Sequence, residues 1–176
     1  MRISKAIIAA GLVFVLAAAS PALAETKVEL KGTHLCCGMC VKTVNEILKG
    51  IDGVTGKCDA KAGIVAITAK DDATVQKALD ALAAGGFHGD TGSKTLAIKE
   101  DSGVTKGKVK TLTVTGVHNC CGQCNTAIKK AVTAVAGVAG NTAKAKTDTF
   151  DVTGDFDAEE LVKALNSAGY HVKVKK

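Results

Sequence analysis

Three observations predict an α+β chain built as two tandem copies of one small domain. First, His34, Cys36, Cys37, Gly38 and Cys40 match His118, Cys120, Cys121, Gly122 and Cys124 at one constant offset. Second, the match continues beyond the cysteines. Val44, Leu48, Ile51, Gly53 and Val54 answer Ile128, Val132, Val135, Gly137 and Val138, and Gly86, Phe87 and His88 answer Gly169, Tyr170 and His171. Third, the apolar residues switch within each copy between the alternation of a strand and the i, i+3, i+4, i+7 spacing of a helix. The resulting order is strand-helix-strand-strand-helix-strand (βαββαβ), the split βαβ or ferredoxin-like arrangement.

Ahead of the repeats, residues 1–24 read as a secretory signal peptide. Arg2 and Lys5 make a basic start, residues 6–19 are apolar, and Ala22-Leu23-Ala24 is a small-residue cleavage site. The apolar run falls short of the roughly 20 residues a membrane span needs, and Pro21 would break a longer helix. Export to a periplasmic or secreted location follows, with no stable membrane insertion after cleavage. The expected layout is residues 1–24 leader, 25–98 first domain, 99–108 a polar flexible linker and 109–176 second domain.

Each element has its own signal. Val28 and Leu30 alternate with Glu29 and Lys31, as Leu112 and Val114 alternate with threonines, giving half-buried first strands. Val44, Ile47, Leu48 and Ile51, and Ile128, Ala131, Val132 and Val135, give helices with one buried face. Glycines 50, 53 and 137 are expected to stop them. Strands at 54–58 and 64–68 flank a turn at 59–63, and Phe150 and Val152 carry the buried face of the matching strand. Second helices begin at Asp72 and Asp157, the latter with Glu160 in a capping-box pattern. Final strands start at Phe87 and Tyr170, and Leu96 with Ile98 suggests a short extra strand. This topology puts the cysteine loops, the first hairpins and the turns holding His88 and His171 at one end of each domain.

The loops His34-Leu35-Cys36-Cys37-Gly38-Met39-Cys40 and His118-Asn119-Cys120-Cys121-Gly122-Gln123-Cys124 hold six of the seven cysteines. Two thiolates three residues apart at a helix start converge on one ion, and the helix N-terminus favours the thiolate. Cys37 with Cys40 and Cys121 with Cys124 have this spacing. Cys36 and Cys120 add a third sulfur, and His34 and His118 a nitrogen. Such ligands select thiophilic ions, Cu(I) or Zn(II), over Mg or Ca.

With these residues in place, the chain resembles the heavy-metal-associated domain family of copper chaperones, periplasmic mercury-binding proteins and N-terminal domains of metal-pumping ATPases. The resemblance rests on Cys-x-x-Cys between first strand and helix, with apolar residues four and eight positions later (Val44 and Leu48; Ile128 and Val132). It implies binding and handover of a soft metal by Cys37 with Cys40 and Cys121 with Cys124, one ion per repeat. It also implies a metal-donor or metal-acceptor partner such as a metal-transporting ATPase. Leu35 and Asn119 replace the family's usual Met, and the extra Cys36, Cys120, His34 and His118 leave two-coordinate Cu(I) and tetrahedral Zn(II) both open.

An exported protein with paired cysteines also admits thiol-disulfide exchange by the same Cys-x-x-Cys pairs. Against it, the thioredoxin-like βαβ context is missing and three cysteines plus a histidine exceed the needs of one dithiol. His88 and His171 lie near the metal end, where a ligand or gating role is open, but alternation with Phe87, and with Tyr170 and Val172, aims them at the open sheet face as ordinary surface histidines. Cys58 faces Thr142 in the repeat alignment and reads as a spare thiol; Met39 is replaced by Gln123, arguing against a shared thioether ligand. No paired carboxylates, nucleophile elbow or phosphate-binding glycine loop is present, so the reading is non-enzymatic. The formal charge of +6, or +4 without the leader, is spread along the chain, and one Tyr and no Trp leave little to stack bases. Nucleic acid is not an expected partner.

Overall fold

The computed structural model describes residues 25–175; the expected leader lies outside the described residues. Among them are four helices and two antiparallel sheets. The first half runs β1 (Thr26–Lys31), α1 (Gly38–Lys49), β2 (Val54–Asp59), β3 (Ile64–Ala69) and α2 (Asp72–Ala84). The second runs β4 (Lys108–Thr115), α3 (Gly122–Thr133), β5 (Val138–Asn141), β6 (Phe150–Asp157), α4 (Ala158–Ser167) and β7 (Lys173–Lys175). Sheet orders are β1-β3-β2 and β5-β6-β4-β7. No helix among the described residues is long and apolar enough to cross a membrane.

The apolar periods place the core as expected. Leu30, Val65 and Ile67 of the first sheet meet Val44 and Leu48 of α1 and Val75, Leu79 and Leu82 of α2, all essentially inaccessible. Leu112, Val114, Phe150, Val152 and Phe156 do the same against Ile128, Val132, Leu161 and Leu165. Gly56 of β2 lets this packing close in the first half, since a Cβ there would run into the side chain of Leu48. The Asp157 carboxylate accepts from the backbone N–H groups of Glu159 (2.9 Å) and Glu160 (3.1 Å), capping α4. In the first half the cap is Asp71, one residue before the expected start, accepting from Thr74 N–H at 2.7 Å.

Three expectations need correcting. The final strand of the first half does not form. Lys31 and Asp90 exchange backbone hydrogen bonds of 2.8 Å, but pairing goes no further. The Asp90 side chain then accepts from Gly92 N–H (2.8 Å), and Ser93 Oγ accepts from the N–H groups of Thr95 and Leu96. These side-chain bonds turn the backbone out of the sheet. For the same reason Leu96 and Ile98 make no extra strand; Ile98 is simply buried in the core.

The stretch expected as a flexible linker is tied down at its start. Glu100 accepts from Asn166 Nδ2 (3.2 Å), Asp101 pairs with His171 (2.7 Å) and Lys173 (3.0 Å), and Ser102 C=O accepts from Val174 N–H (2.8 Å). Polarity here reflects side-chain partners on both halves as well as solvation.

The two halves meet at their matched Gly-aromatic-His triplets. Phe87 and Tyr170 form an antiparallel bridge, with His88 N–H donating to Gly169 C=O (3.0 Å) and His171 N–H to Gly86 C=O (3.1 Å). Gly86 and Gly169 have φ of +82° and +87°. A Cβ on Gly86 would lie 2.6 Å from Gly116 O, and one on Gly169 would lie 2.5 Å from Gly32 O. Each glycine thus lets its turn press onto the chain just ahead of the other half's cysteine loop, with an approximate two-fold relation between halves.

Candidate metal centre

Both cysteine loops are built alike. Gly32 (φ +77°) and Gly116 (φ +75°) turn the chain away from β1 and β4. Cys37 and Cys121, both extended, are the N-caps of α1 and α3. Cys40 and Cys124 fall in the first helical turn, on the buried face that continues through Val44 and Leu48, or Ile128 and Val132, and are fully buried. The loops are anchored to the neighbouring hairpins. Thr33 N–H donates to Gly63 C=O (3.0 Å), and Asn119 Nδ2 donates to Lys144 C=O (2.7 Å). Asn119 and Leu35 are buried at equivalent positions of the two loops.

The loops do not stand apart, as separate sites in two linked domains would. The triplet bridge brings them face to face, and the six sulfurs form one patch. Across the junction Cys36 Sγ lies 3.4 Å from Cys124 Sγ and 3.6 Å from Cys121 Sγ. Cys120 Sγ lies 3.7 Å from both Cys37 and Cys40, and Cys40 and Cys124 are 3.8 Å apart. Within the loops the separations are similar: Cys37–Cys40 3.7 Å, Cys36–Cys40 3.8 Å, Cys121–Cys124 and Cys120–Cys124 3.6 Å. All six are free thiols.

The histidines cross over. His34 packs on Tyr170 (ring centroids 4.6 Å) and His118 on Phe87 (4.4 Å), each ring lying against the other half's aromatic residue. Both Nε2 atoms are buried without a hydrogen-bond partner. His118 offers a nitrogen within 4.8 Å of the sulfurs of Cys40, Cys120 and Cys124, and His34 does so for Cys36 and Cys124. Burial pushes the His118 pKa down, keeping the imidazole neutral and able to donate a lone pair.

Electrostatics divide the thiols by depth. At the helix N-terminus the backbone N–H of Cys40 is the main influence on Cys37, drawing its pKa down to about 7 against some opposition from burial. Burial, with hydrogen bonding among the thiols, pushes Cys36 well up and Cys120 up to about 12. The contact of Cys40 with Cys124, together with burial, opposes ionising both thiols of the pair. Without a cation the patch resists full ionisation; with one, the charges are compensated.

His88 and His171 lie against one another rather than on the sulfurs, rings parallel at 5.9 Å, and flanked by Glu100 (3.6 Å from His88) and Asp101. Cys58 donates toward Asn45 Oδ1 at 3.8 Å, away from the patch, and Met39 is exposed at its rim. What sequence reasoning missed is the junction itself. Its signal was present, in that Gly86-Phe87-His88 and Gly169-Tyr170-His171 recur as faithfully as the cysteines.

No curated protein matches the chain. Among solved structures, the N-terminal soluble domains of Bacillus subtilis CopA are similar at 17% identity and a TM-score of 0.32, over 86% of this chain and 95% of that one. The water-soluble region of the P-type ATPase CopA from Bacillus subtilis is similar at 19% identity and a TM-score of 0.27, over 86% and 92%. Residues 111–171, from β4 through the second cysteine loop to His171, match the model of the heavy-metal-associated domain family.

Proposed function

We propose that the chain is a non-enzymatic soft-metal-binding protein of two heavy-metal-associated modules, exported, and serving metal delivery, buffering or detoxification. Cu(I) is the favoured cargo and Zn(II) the alternative. Cys36, Cys37, Cys40, Cys120, Cys121 and Cys124 supply the sulfur ligands, with His34 and His118 as added nitrogens. A metal-transporting ATPase is the kind of partner the family match suggests for donor or acceptor.

The observation that carries this reading is the convergence of six free thiols with two buried, unpartnered imidazole nitrogens. Soft sulfur selects thiophilic ions, and binding requires the thiolate, so each metal–sulfur bond releases a proton. Cys37, partly exposed and with its pKa near neutrality, is suited to make the first bond to an arriving ion. The ion then passes inward to Cys40 and Cys124. The same low Cys37 pKa also favours thiol-disulfide exchange with Cys40.

Elemental analysis and a free-thiol count on protein isolated from its native compartment separate the two. Bound copper or zinc with reduced cysteines is expected. Metal-free protein with Cys37–Cys40 and Cys121–Cys124 disulfides, failing to compete for Cu(I) with a chelator after reduction, would overturn the metal reading.

A further inference from the structure

We propose that the two cysteine loops form one polynuclear site, taking up to four univalent soft ions of the Cu(I) class in a shared six-thiolate nest. This rests on the soft-metal reading above and goes beyond its expectation of one ion per repeat. The short sulfur separations close four triangles: Cys37–Cys40–Cys120, Cys40–Cys120–Cys124, Cys36–Cys40–Cys124 and Cys36–Cys121–Cys124. Every one takes sulfurs from both loops. No three-sulfur site exists within a single loop, because Cys36 and Cys37 each approach Cys40 but not one another at these distances.

The triangles have the size trigonal coordination needs. With a metal–sulfur bond of about 2.3 Å, an ion over a sulfur triangle of edge about 3.7 Å sits roughly 0.8 Å off its plane, so ions in triangles that share an edge stay about 2.7 Å apart by lying on opposite faces. Edges of 3.4 to 3.8 Å suit such an off-plane ion without opening. The triangles share edges, so Cys40 and Cys124 each belong to three, Cys36 and Cys120 to two, and Cys37 and Cys121 to one. Thiolates bridge soft univalent ions in this way. Charge agrees: six thiolates with four univalent cations leave a net −2, facing the N-termini of α1 and α3, each worth about half a positive charge. On binding, six thiol protons leave as four cations enter, with no change of oxidation state when the metal is supplied as Cu(I).

Native mass spectrometry of the reduced protein during Cu(I) titration, with X-ray absorption on the loaded sample, tests this. Expected is a monomer moving to more than two ions, saturating near four, with a short metal–metal path in the absorption data. A triple variant, Cys120→Ser with Cys121→Ser and Cys124→Ser, should lose the multi-ion species altogether; circular dichroism and a melt check that it still folds. Two ions per chain without a metal–metal path, the triple variant keeping one, would overturn the shared nest and leave the soft-metal reading standing. Loading seen only in a dimer would likewise overturn an intrachain site. No Cu(I) uptake at all would overturn both.

Discussion

The sulfurs of Cys40 and Cys124 face each other 3.8 Å apart across the junction of the two halves, both fully buried and both in the first turn of a helix. Each is held by its own helix core, Val44 and Leu48 on one side and Ile128 and Val132 on the other. The distance between them is therefore set by how the halves dock. Cys37 and Cys121 sit at the rim by comparison and are half-buried.

Position in the patch predicts a graded response to loss of a sulfur. Cys40→Ser removes a member of three triangles and Cys37→Ser a member of one. In Cu(I) titrations, Cys40→Ser or Cys124→Ser should collapse capacity in both halves together, whereas Cys37→Ser or Cys121→Ser should cost about one ion, if trigonal sulfur sites are required. Cys36→Ser with Cys120→Ser should fall between. Equal losses for rim and centre would refute the ordering.

Zinc should respond differently from copper, because Zn(II) wants four ligands. Cys40, Cys120, Cys124 and His118 are mutually within 4.8 Å and form a Cys3His set, whereas His34 has only Cys36 and Cys124 so placed. His118→Ala is expected to weaken Zn(II) by about tenfold or more, on the scale of losses at zinc sites, with a smaller effect on Cu(I). His34→Ala should affect Zn(II) less. Competition with a chromophoric zinc chelator measures both, and equal effects would exclude the Cys3His set.

Much of this was legible in the chain. Helix faces at Val44 and Leu48, the hairpin strands and the cap at Asp157 follow from local period and side-chain chemistry, and the structure has them where expected. The missing strand after Phe87 was not legible, because the outcome turned on side-chain bonds from Asp90 and Ser93 that compete with the sheet. Nor was the fate of Glu100, Asp101 and Ser102: a polar stretch looks the same whether its partners are water or Asn166, His171 and Val174. The sulfur loops were legible as ligand sets. Their convergence was not, since it depends on a docking of halves that no periodicity encodes.

The docking should weaken on mild acidification. Burial lowers the His88 pKa, an effect outweighing the attraction of Glu100 and Asp90 and reinforced by the facing His171. A folded-state pKa below the unfolded value, about 6.5, means the folded state binds fewer protons. The stabilising contribution is fully present above that value and is lost as pH falls through the folded one. His118, also lowered by burial, acts with the same sign. Asp101, drawn down mainly by Lys173 and further by His171, contributes only in the lower carboxylate range. Melting temperatures of metal-free reduced protein should drop between pH 7.5 and 5.5, and His88→Gln should flatten that slope. A slope unchanged in the variant would remove His88 as its source.

The strictest test of the junction is a single methyl group. Gly86 has φ of +82°, a left-handed conformation that costs a residue with a Cβ roughly 1–2 kcal/mol. Its Cβ would also lie 2.6 Å from Gly116 O, just ahead of the second loop, and crowd the backbone nitrogen of His118. Neither atom is the end of a flexible side chain, so the neighbour cannot give way without moving the loop. Gly169 repeats the situation against Gly32 O and His34. Gly86→Ala should therefore both destabilise the protein and push the halves apart, and the double change with Gly169→Ala should do so more. Because the helices, sheets and all six thiols remain, each loop keeps its own Cys-x-x-Cys pair. The expected outcome is a protein with near-native circular dichroism whose tightest Cu(I) uptake falls toward two ions per chain. Full multi-ion loading by the double variant would show that the loops meet without this contact.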